Sequence, residues 1–312
     1  MADTSHASSS SRRAFLAAGL AVPAAAVMAP VPASGQVAPR AAVPAASRHA
    51  LKIGTVTYNI AKDWDVATII KNLTDVGLDG VELRTTHAHG VELSLTAAQR
   101  AEVRARFEAS PVKIAGLGTT CEYHAADPAV VTKNIEETKQ WVALAQDLGC
   151  PNVKVRPNGL RKDVPEEQTL EQIGKALKQC GQAAADAGIR IQVEVHGAET
   201  QRVPRVVKML QYADRHPGVW ICWNSNPTDL LDGGFDKNFA LLKDRIGQVH
   251  MRDLYIEDYP SEHLIHALQD MKFAGYCFAE LGEPSTDGVR VLRYFRGMFR
   301  QMEGLVTPPL TA

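Results

Sequence analysis

Four side chains that can bind a metal occur at the ends of successive apolar segments in the second half of the chain. Glu194 ends the first of these segments, and Asn224, His250 and Glu280 end the next three. Two carboxylates in one small space repel each other, and one must take up a proton unless a cation lies between them. Two carboxylates, an amide oxygen and an imidazole suit Mn²⁺, Mg²⁺, Co²⁺ or Zn²⁺. The four residues therefore predict a divalent metal site, although each alone is also compatible with a salt bridge or a core hydrogen bond.

Regular alternation of short apolar runs and amphipathic segments positions these residues. Apolar runs begin near residues 53, 80, 112, 152, 189, 219, 248 and 276, and the segments between them have helical spacing, as in Val66, Ile69 and Leu73. Thr96 and Gln99 form a capping box at one helix start. A glycine precedes five of the runs, where it is expected to end a helix in the left-handed conformation. These glycines are Gly77, Gly149, Gly188, Gly247 and Gly275.

Eight strand–helix units fit between residues 53 and 303, close to the ~250 residues of a (β/α)8 TIM barrel. A doubly wound open sheet is the alternative, and it is disfavoured because no Gly-x-Gly-x-x-Gly loop follows the first strand. In a barrel, the carboxyl ends of all strands meet around one pocket. Further polar residues at or just after strand ends are therefore predicted to contact a substrate. They are Glu82, Arg156, His196 and Arg252.

Several short motifs together resemble the xylose isomerase-like TIM-barrel superfamily, in particular its sugar phosphate isomerase/epimerase branch. The motifs are Gly-Val-Glu-Leu at strand two, Glu-x-His at strand five, Val-His-Met-Arg-Asp at strand seven and Ala-Glu-Leu-Gly at strand eight. The resemblance implies a divalent metal held by Glu194, Asn224, His250 and Glu280. The family usually has Asp, two residues and then His at strand six. Here Asn224 replaces the Asp and Pro227 replaces the His, so the site has one negative charge fewer.

The resemblance implies an enzyme that removes a proton next to the carbonyl of a carbohydrate or keto-sugar. The metal would polarise the carbonyl, and Glu194 and Glu280 would act as base and acid on either face of the substrate. Return of the proton to carbon gives isomerisation or epimerisation, whereas departure of a leaving group gives β-elimination, a lyase reaction. The other open interpretation is a non-catalytic sugar-binding protein with a degraded metal site.

The charge and the cysteine content limit which ligands and macromolecular partners the chain is expected to bind. The chain has a net charge of −1, and residues 50–312 carry 30 basic against 34 acidic side chains. Without a basic excess, nucleic acid is an unfavourable partner, and the abasic-site endonuclease branch of the superfamily is disfavoured. The five cysteines form no Cys-x-x-Cys pair, which argues against a thiolate zinc site. The oligomeric state is not determined by these patterns.

The N-terminal 49 residues differ in composition from the rest. Arg12 and Arg13 belong to a Ser-Arg-Arg-Ala-Phe-Leu motif that resembles the twin-arginine export signal, and a weakly apolar, alanine-rich run follows. This run is short and contains Pro23, so no stable membrane span is expected. Residues 1–49 are therefore predicted to be a signal peptide and Ala/Pro-rich linker of a periplasmic or otherwise exported protein. Residues 50–305 would form the barrel, and residues 306–312 a C-terminal tail.

Overall fold

The computed structural model describes residues 49–305, in which eight strands alternate with eight α-helices. Residues 1–48 of the predicted signal peptide and linker, and the predicted C-terminal tail, lie outside the described residues. Two short 3₁₀ helices, Pro227–Leu230 and Lys243–Arg245, flank the sixth α-helix. The strands are β1 (Lys52–Val56), β2 (Gly80–Arg84), β3 (Lys113–Gly118), β4 (Asn152–Val155), β5 (Arg190–Glu194), β6 (Val219–Asn224), β7 (Ile246–Met251) and β8 (Tyr276–Ala279). The helices are α1 (Val66–Val76), α2 (Ala97–Glu108), α3 (Pro128–Leu148), α4 (Glu166–Asp186), α5 (Val203–Tyr212), α6 (Phe235–Leu242), α7 (Ser261–Asp270) and α8 (Gly288–Met302).

The strands form one closed parallel barrel in chain order, as predicted. Closure occurs between β1 and β8, where Gly54 is in register with Phe278, while on its other side Gly54 is in register with Gly80 of β2. A side chain at Gly54 would meet the ring of Phe278 at 2.7 Å, so the glycine makes room for this ring inside the barrel. The carboxyl ends of all eight strands consequently open at the same end of the molecule.

The helix boundaries follow the capping signals in the sequence. Asp65 caps α1 by accepting a hydrogen bond from the backbone N–H of Thr68, and the capping box of Thr96 and Gln99 begins α2 as predicted. Gly77 ends α1 with a φ of 77°, the left-handed conformation in which glycine has no Cβ penalty. Within residues 49–305, no helix is both long and apolar enough to cross a bilayer.

Two of the predicted helix-ending glycines have a different role. Gly247 lies inside β7, and Gly275 precedes β8, and neither has a positive φ. A Cβ on Gly247 would lie 2.4 Å from the amide of Gln192, and one on Gly275 would lie 2.2 Å from the carbonyl oxygen of Gly247. The prediction that these glycines end helices was therefore wrong. They are needed because another part of the barrel approaches the backbone closely.

The interior of the barrel contains polar side chains below the carboxyl ends of the strands. Gln192 of β5 donates a hydrogen bond to Asn152 of β4 at 2.7 Å, and Asn152 donates to the carbonyl oxygen of Ala115 at 2.8 Å. Successive side chains of a strand point to opposite faces, so Lys154 and Glu194 share the inner face with Asn152 and Gln192. The alternate residues face the helices and form the apolar core. They include Val153, Val155, Ile191 and Val193, all buried.

Candidate active site

A polar cavity of about 300 Å³ opens at the carboxyl ends of the strands. Its wall contains three cationic side chains, Arg84, Lys154 and Arg156, and two carboxylates, Glu194 and Glu280. His196 and Asn224 also line it. Such a concentration of charged and amide groups suits a small polar ligand better than an apolar one.

Three of the predicted metal ligands meet at the bottom of this cavity. One possible ligand atom from each of Glu194, His250 and Glu280 lies within 4.8 Å of the others. Nδ1 of His250 is 3.1 Å from Oε2 of Glu280 and 3.5 Å from Oε1 of Glu194. The side-chain amide of Asn224 donates to Oε1 of Glu194 at 3.3 Å, which places this residue beside the same cluster. The structure thus brings together all four residues that the sequence indicated.

Glu82 lies beneath the cluster and not on the cavity wall. Its side chain is completely buried, with Oε2 3.2 Å from Nε2 of His250. The same oxygen accepts a hydrogen bond from Gln248 at 2.5 Å. In many proteins a carboxylate binds the histidine nitrogen that faces away from the metal and so fixes the orientation of the ring. Glu82, for which a substrate contact was predicted, is therefore placed to orient His250, because its strand position points it into the barrel.

Lys154 is a component of the site that sequence reasoning did not single out. Its ammonium group is 2.6 Å from Oε2 of Glu194, and its side chain is only 4% exposed. The signal in the sequence is a lysine between Val153 and Val155 in a short strand, two residues after Asn152. The same pattern is typical of a strand with one solvated face, and only the closed barrel turns that face inward.

The ion pair of Glu194 and Lys154 determines the charge state of the cluster. Burial alone would raise the pKa of Glu194, but the ammonium of Lys154 and the neighbouring His250 hold it well below its usual value. Burial opposes the charged form of Lys154 as well, and the carboxylates of Glu194, Glu82 and Glu280 keep its pKa above the usual value. Glu194 is therefore an ionised carboxylate in a buried position.

The charges and orphaned atoms of the cluster fit a divalent cation. Glu82, Glu194 and Glu280 contribute three carboxylates against the one ammonium of Lys154, which leaves two negative charges for a cation or a proton to offset. Burial disfavours a charged imidazole, yet Cys222 and the carboxylates of Glu280 and Glu82 raise the pKa of His250 well above its usual value, so the cluster attracts positive charge. Nδ1 of His250 is buried and has no hydrogen-bond partner among residues 49–305, although it faces two carboxylates. An unpaired imidazole nitrogen beside two carboxylates is a suitable ligand set for a divalent transition metal.

Of the other three residues predicted to contact a substrate, two line the cavity and one does not. Arg156 lines the cavity and forms an ion pair with Oε1 of Glu122 at 2.9 Å. His196 also lines the cavity, and its Nδ1 is buried without a hydrogen-bond partner in the described residues. Arg252 lies away from this wall, where its Nη1 is 3.1 Å from Oδ1 of Asp258. The structure therefore places Arg156 and His196, but not Arg252, at the cavity surface.

Comparison with known proteins agrees with the fold. Residues 70–297 match the family described as xylose isomerase-like TIM barrel. This chain belongs to that family. No curated protein sequence matches the chain.

Several solved structures superimpose on this one. With 3-keto-D-glucoside 4-epimerase from E. coli, the TM-score is 0.68 at 14% identity, covering 81% of this chain and 100% of that chain. With an L-ribulose 3-epimerase, the TM-score is 0.67 at 15% identity, covering 84% and 100%. With the IOLI protein, whose structure contains a bound zinc atom, the TM-score is 0.67 at 15% identity, covering 81% and 98%. At these identities the similarity shows a shared fold.

Proposed function

We propose that this protein is a metal-dependent isomerase or epimerase that acts on a carbohydrate or keto-sugar by removing a proton next to a carbonyl group. The observation that carries the proposal is the meeting of Glu194, His250 and Glu280 at the bottom of a polar cavity. Structures of the same fold include two sugar epimerases and a protein with bound zinc, which supports both the substrate class and the metal.

Glu194, Asn224, His250 and Glu280 would hold the cation. When bound, the cation would lower the pKa of a carbon acid by polarising the adjacent carbonyl group. The Lys154 ammonium keeps Glu194 ionised, as a carboxylate must be to accept a proton. Glu280 is the more accessible of the two carboxylates, with 21% of its side chain exposed against 3% for Glu194. It is therefore the better placed of the two to exchange protons with a substrate in the cavity.

A non-catalytic sugar-binding protein is the second candidate, and Asn224 is the observation that favours it. An amide is a weaker metal ligand than the carboxylate that the resemblance implies at this position. Here the Asn224 amide donates a hydrogen bond to Glu194. Metal content separates the two candidates, because the enzyme requires a bound cation and the binding protein does not.

The proposal is tested with two substitutions in the cluster and a control. Glu280→Gln should lower metal content and reduce turnover by about two to four orders of magnitude, as expected when an acid–base group is lost. Asn224→Asp should bind the metal more tightly because it adds a negative charge. Glu257→Gln removes an exposed carboxylate from the loop after β7 and should change neither. Metal content is measured by elemental analysis, and turnover by NMR on ketohexoses and 3-keto-glucosides. Full metal content and full activity in Glu280→Gln would contradict the mechanism.

We further propose that the protein is exported through the twin-arginine route. The support is the Arg12-Arg13 motif followed by an apolar segment. Replacing both arginines by lysine should leave an uncleaved precursor in the cytoplasm, which fractionation and mass spectrometry would detect. Normal processing of that variant would contradict export by this route.

A further inference from the structure

The cationic part of the cavity wall is not explained by metal binding. Arg84 ends β2, and its guanidinium group lies over the ring of Tyr58 at 5.4 Å from the centroid. Its Nη1 is 3.1 Å from Nε2 of His87, and Nδ1 of His87 is 3.1 Å from the hydroxyl of Thr57. These contacts fix the guanidinium at the cavity without an acidic partner.

The histidine that Arg84 contacts, His87, is neutral. Burial and the positive charge of Arg84 lower the pKa of His87 to about 4, so the imidazole is uncharged at neutral pH and leaves the guanidinium charge uncompensated. Among residues 49–305, no carboxylate oxygen lies within 4.0 Å of the Arg84 nitrogens. A fixed guanidinium with no anionic partner at a cavity wall is a binding site for an anion.

Arg156 adds a second cation to the same wall. Its Nη2 binds Glu122, whereas its Nε is buried and has no hydrogen-bond partner in the described part of the chain. Glu122 is also bound by the amide of Asn158 at 2.5 Å, so one carboxylate is shared between two donors. The wall therefore has an arginine on each side of β3. Arg84 has no carboxylate partner in the described residues, and Arg156, although paired with Glu122, has an unsatisfied donor at Nε.

The balance of charge around the cavity leads to the same conclusion. Arg84, Lys154 and Arg156 supply three positive charges, against which stand four carboxylates: Glu194 and Glu280 on the wall, Glu82 beneath it and Glu122 beside Arg156. With the divalent cation that the proposed function requires, and with His250 as a neutral ligand, the region carries one net positive charge. A substrate carrying a negative charge would offset the excess, and electrostatic attraction would also speed its entry.

From these contacts we propose that the substrate is an acidic sugar, whose carboxylate or phosphate group is bound by Arg84 with Arg156 beside it. This inference rests on the proposed function, since it assigns a substrate class to the same cavity. The acidic group lies at the β2–β4 side of the cavity, and the reacting carbons lie toward Glu194 at the end of β5 and Glu280 just after β8. Arg84 binds the substrate and takes no part in proton transfer.

Three sugars that differ at one carbon test the proposal: D-fructose, D-fructuronate and D-fructose 6-phosphate. Calorimetric titration of the metal-loaded protein should give a Kd about 10- to 100-fold lower for at least one acidic sugar than for D-fructose, the scale expected for a charged hydrogen bond. Whichever acidic sugar binds more tightly identifies carboxylate or phosphate as the preferred group. Added salt should weaken binding of that sugar and leave D-fructose unaffected.

Substitutions then assign the preference to Arg84. Arg84→Gln should abolish the preference, and Arg84→Lys should retain part of it, because lysine keeps the charge but loses the planar fork. Arg104→Gln removes a surface arginine paired with Glu108 and should leave the preference intact. Thermal unfolding of each variant shows whether the protein is folded. If neither acidic sugar binds more tightly than D-fructose, or if Arg84→Gln keeps the preference, the inference is wrong. The Glu280→Gln test decides the proposed function independently, since it depends on metal content and turnover and not on ligand charge.

Discussion

Glu194 and Asp229 are both buried carboxylates near the carboxyl ends of neighbouring strands, yet their pKa values are shifted in opposite directions. Glu194 ends β5, and Asp229 lies in the 3₁₀ helix Pro227–Leu230 that follows β6. Their exposed fractions are 2% and 0%. Burial raises the pKa of Asp229 to about 7, whereas the pKa of Glu194 is held well below its usual value despite the same burial.

The difference lies in the partners of the two carboxylates. Oε2 of Glu194 has the Lys154 ammonium at 2.6 Å. Oδ2 of Asp229 has neutral donors, the hydroxyl of Tyr259 at 2.9 Å and the backbone N–H of Asn226 at 3.1 Å, and its Oδ1 has no partner in the described residues. Neutral donors offset only part of the cost of burying a charge, while a cation offsets more of it. Burial alone therefore does not identify a catalytic carboxylate in this barrel.

The strongest test of this comparison is to remove the cation from Glu194. Lys154→Met keeps most of the length of the side chain and leaves a buried carboxylate without its partner. The free energy of unfolding should fall by about 3–5 kcal/mol, as when one member of a buried ion pair is lost. Urea denaturation followed by tryptophan fluorescence measures the change. Added divalent cation should restore part of the loss, because a ligand that binds only the folded state stabilises it.

A surface ion pair provides the control for this substitution. Lys178→Met breaks the contact of Lys178 with Asp214, whose side chains are 51% and 67% exposed, and should cost less than about 1 kcal/mol. Equal losses in the two variants would show that the Lys154–Glu194 pair has no special role in the fold.

The second test concerns the pH dependence that Asp229 should give. Its folded pKa of about 7 lies above the ordinary value of 3.8, so the folded state prefers the protonated form. The contribution of Asp229 to stability is complete below pH 3.8 and is lost as the pH rises through 7. Between pH 4 and 8 the free energy of unfolding of the wild type should therefore fall by roughly 3–4 kcal/mol on account of Asp229. Asp229→Asn mimics the protonated form and should not show this fall. Unfolding curves of both proteins between pH 4 and 8 measure it.

A surface aspartate gives the matched control for Asp229. In Asp214→Asn the affected group is fully exposed, and its pKa is lowered by Lys178 and not raised. This variant should keep the wild-type pH profile between pH 4 and 8. Parallel profiles for wild type and Asp229→Asn would mean that Asp229 is ionised throughout this range.

The smallest expected effect comes from the neutral donor itself. The Tyr259 hydroxyl donates to Asp229 and accepts a hydrogen bond from the indole of Trp223 at 3.0 Å. Tyr259→Phe should cost about 1–3 kcal/mol, since it leaves buried polar groups unpaired. It should also move the pH-dependent loss of stability to higher pH, because a donor that favours the ionised carboxylate is gone. Tyr212→Phe, which loses an exposed hydrogen bond to Glu167, should stay within about 0.5 kcal/mol of wild type in thermal or urea unfolding.

The fold was predictable because each strand–helix unit has a local signal. Apolar runs, the capping box of Thr96 and Gln99, and helix-ending glycines such as Gly77 all depend on residues close together in the chain. The prediction failed at Gly247 and Gly275, where the requirement for glycine comes from Gln192 and from the backbone of a neighbouring strand. A contact between distant segments has no local sequence pattern, and so a packing glycine was taken for a capping one.

The site was predictable to a similar extent, and for a related reason. Glu194, Asn224, His250 and Glu280 were found by their place at strand ends, since strand ends converge whenever eight parallel strands close into a barrel. Lys154 gave no such signal. It occupies a middle position of β4, where a lysine alternating with valines is also typical of a solvated face.

By itself, the sequence determined the number and order of the strand–helix units and which polar residues stand at the strand ends. Only the tertiary structure decided which of the two faces of each strand points into the barrel and which packs against the helices. Closure between β1 and β8 turns one face of every strand toward a common interior, and this places Lys154 against Glu194 and Glu82 under His250. Alternation along a strand separates the two faces, but the surroundings of each face depend on strands far away in the chain.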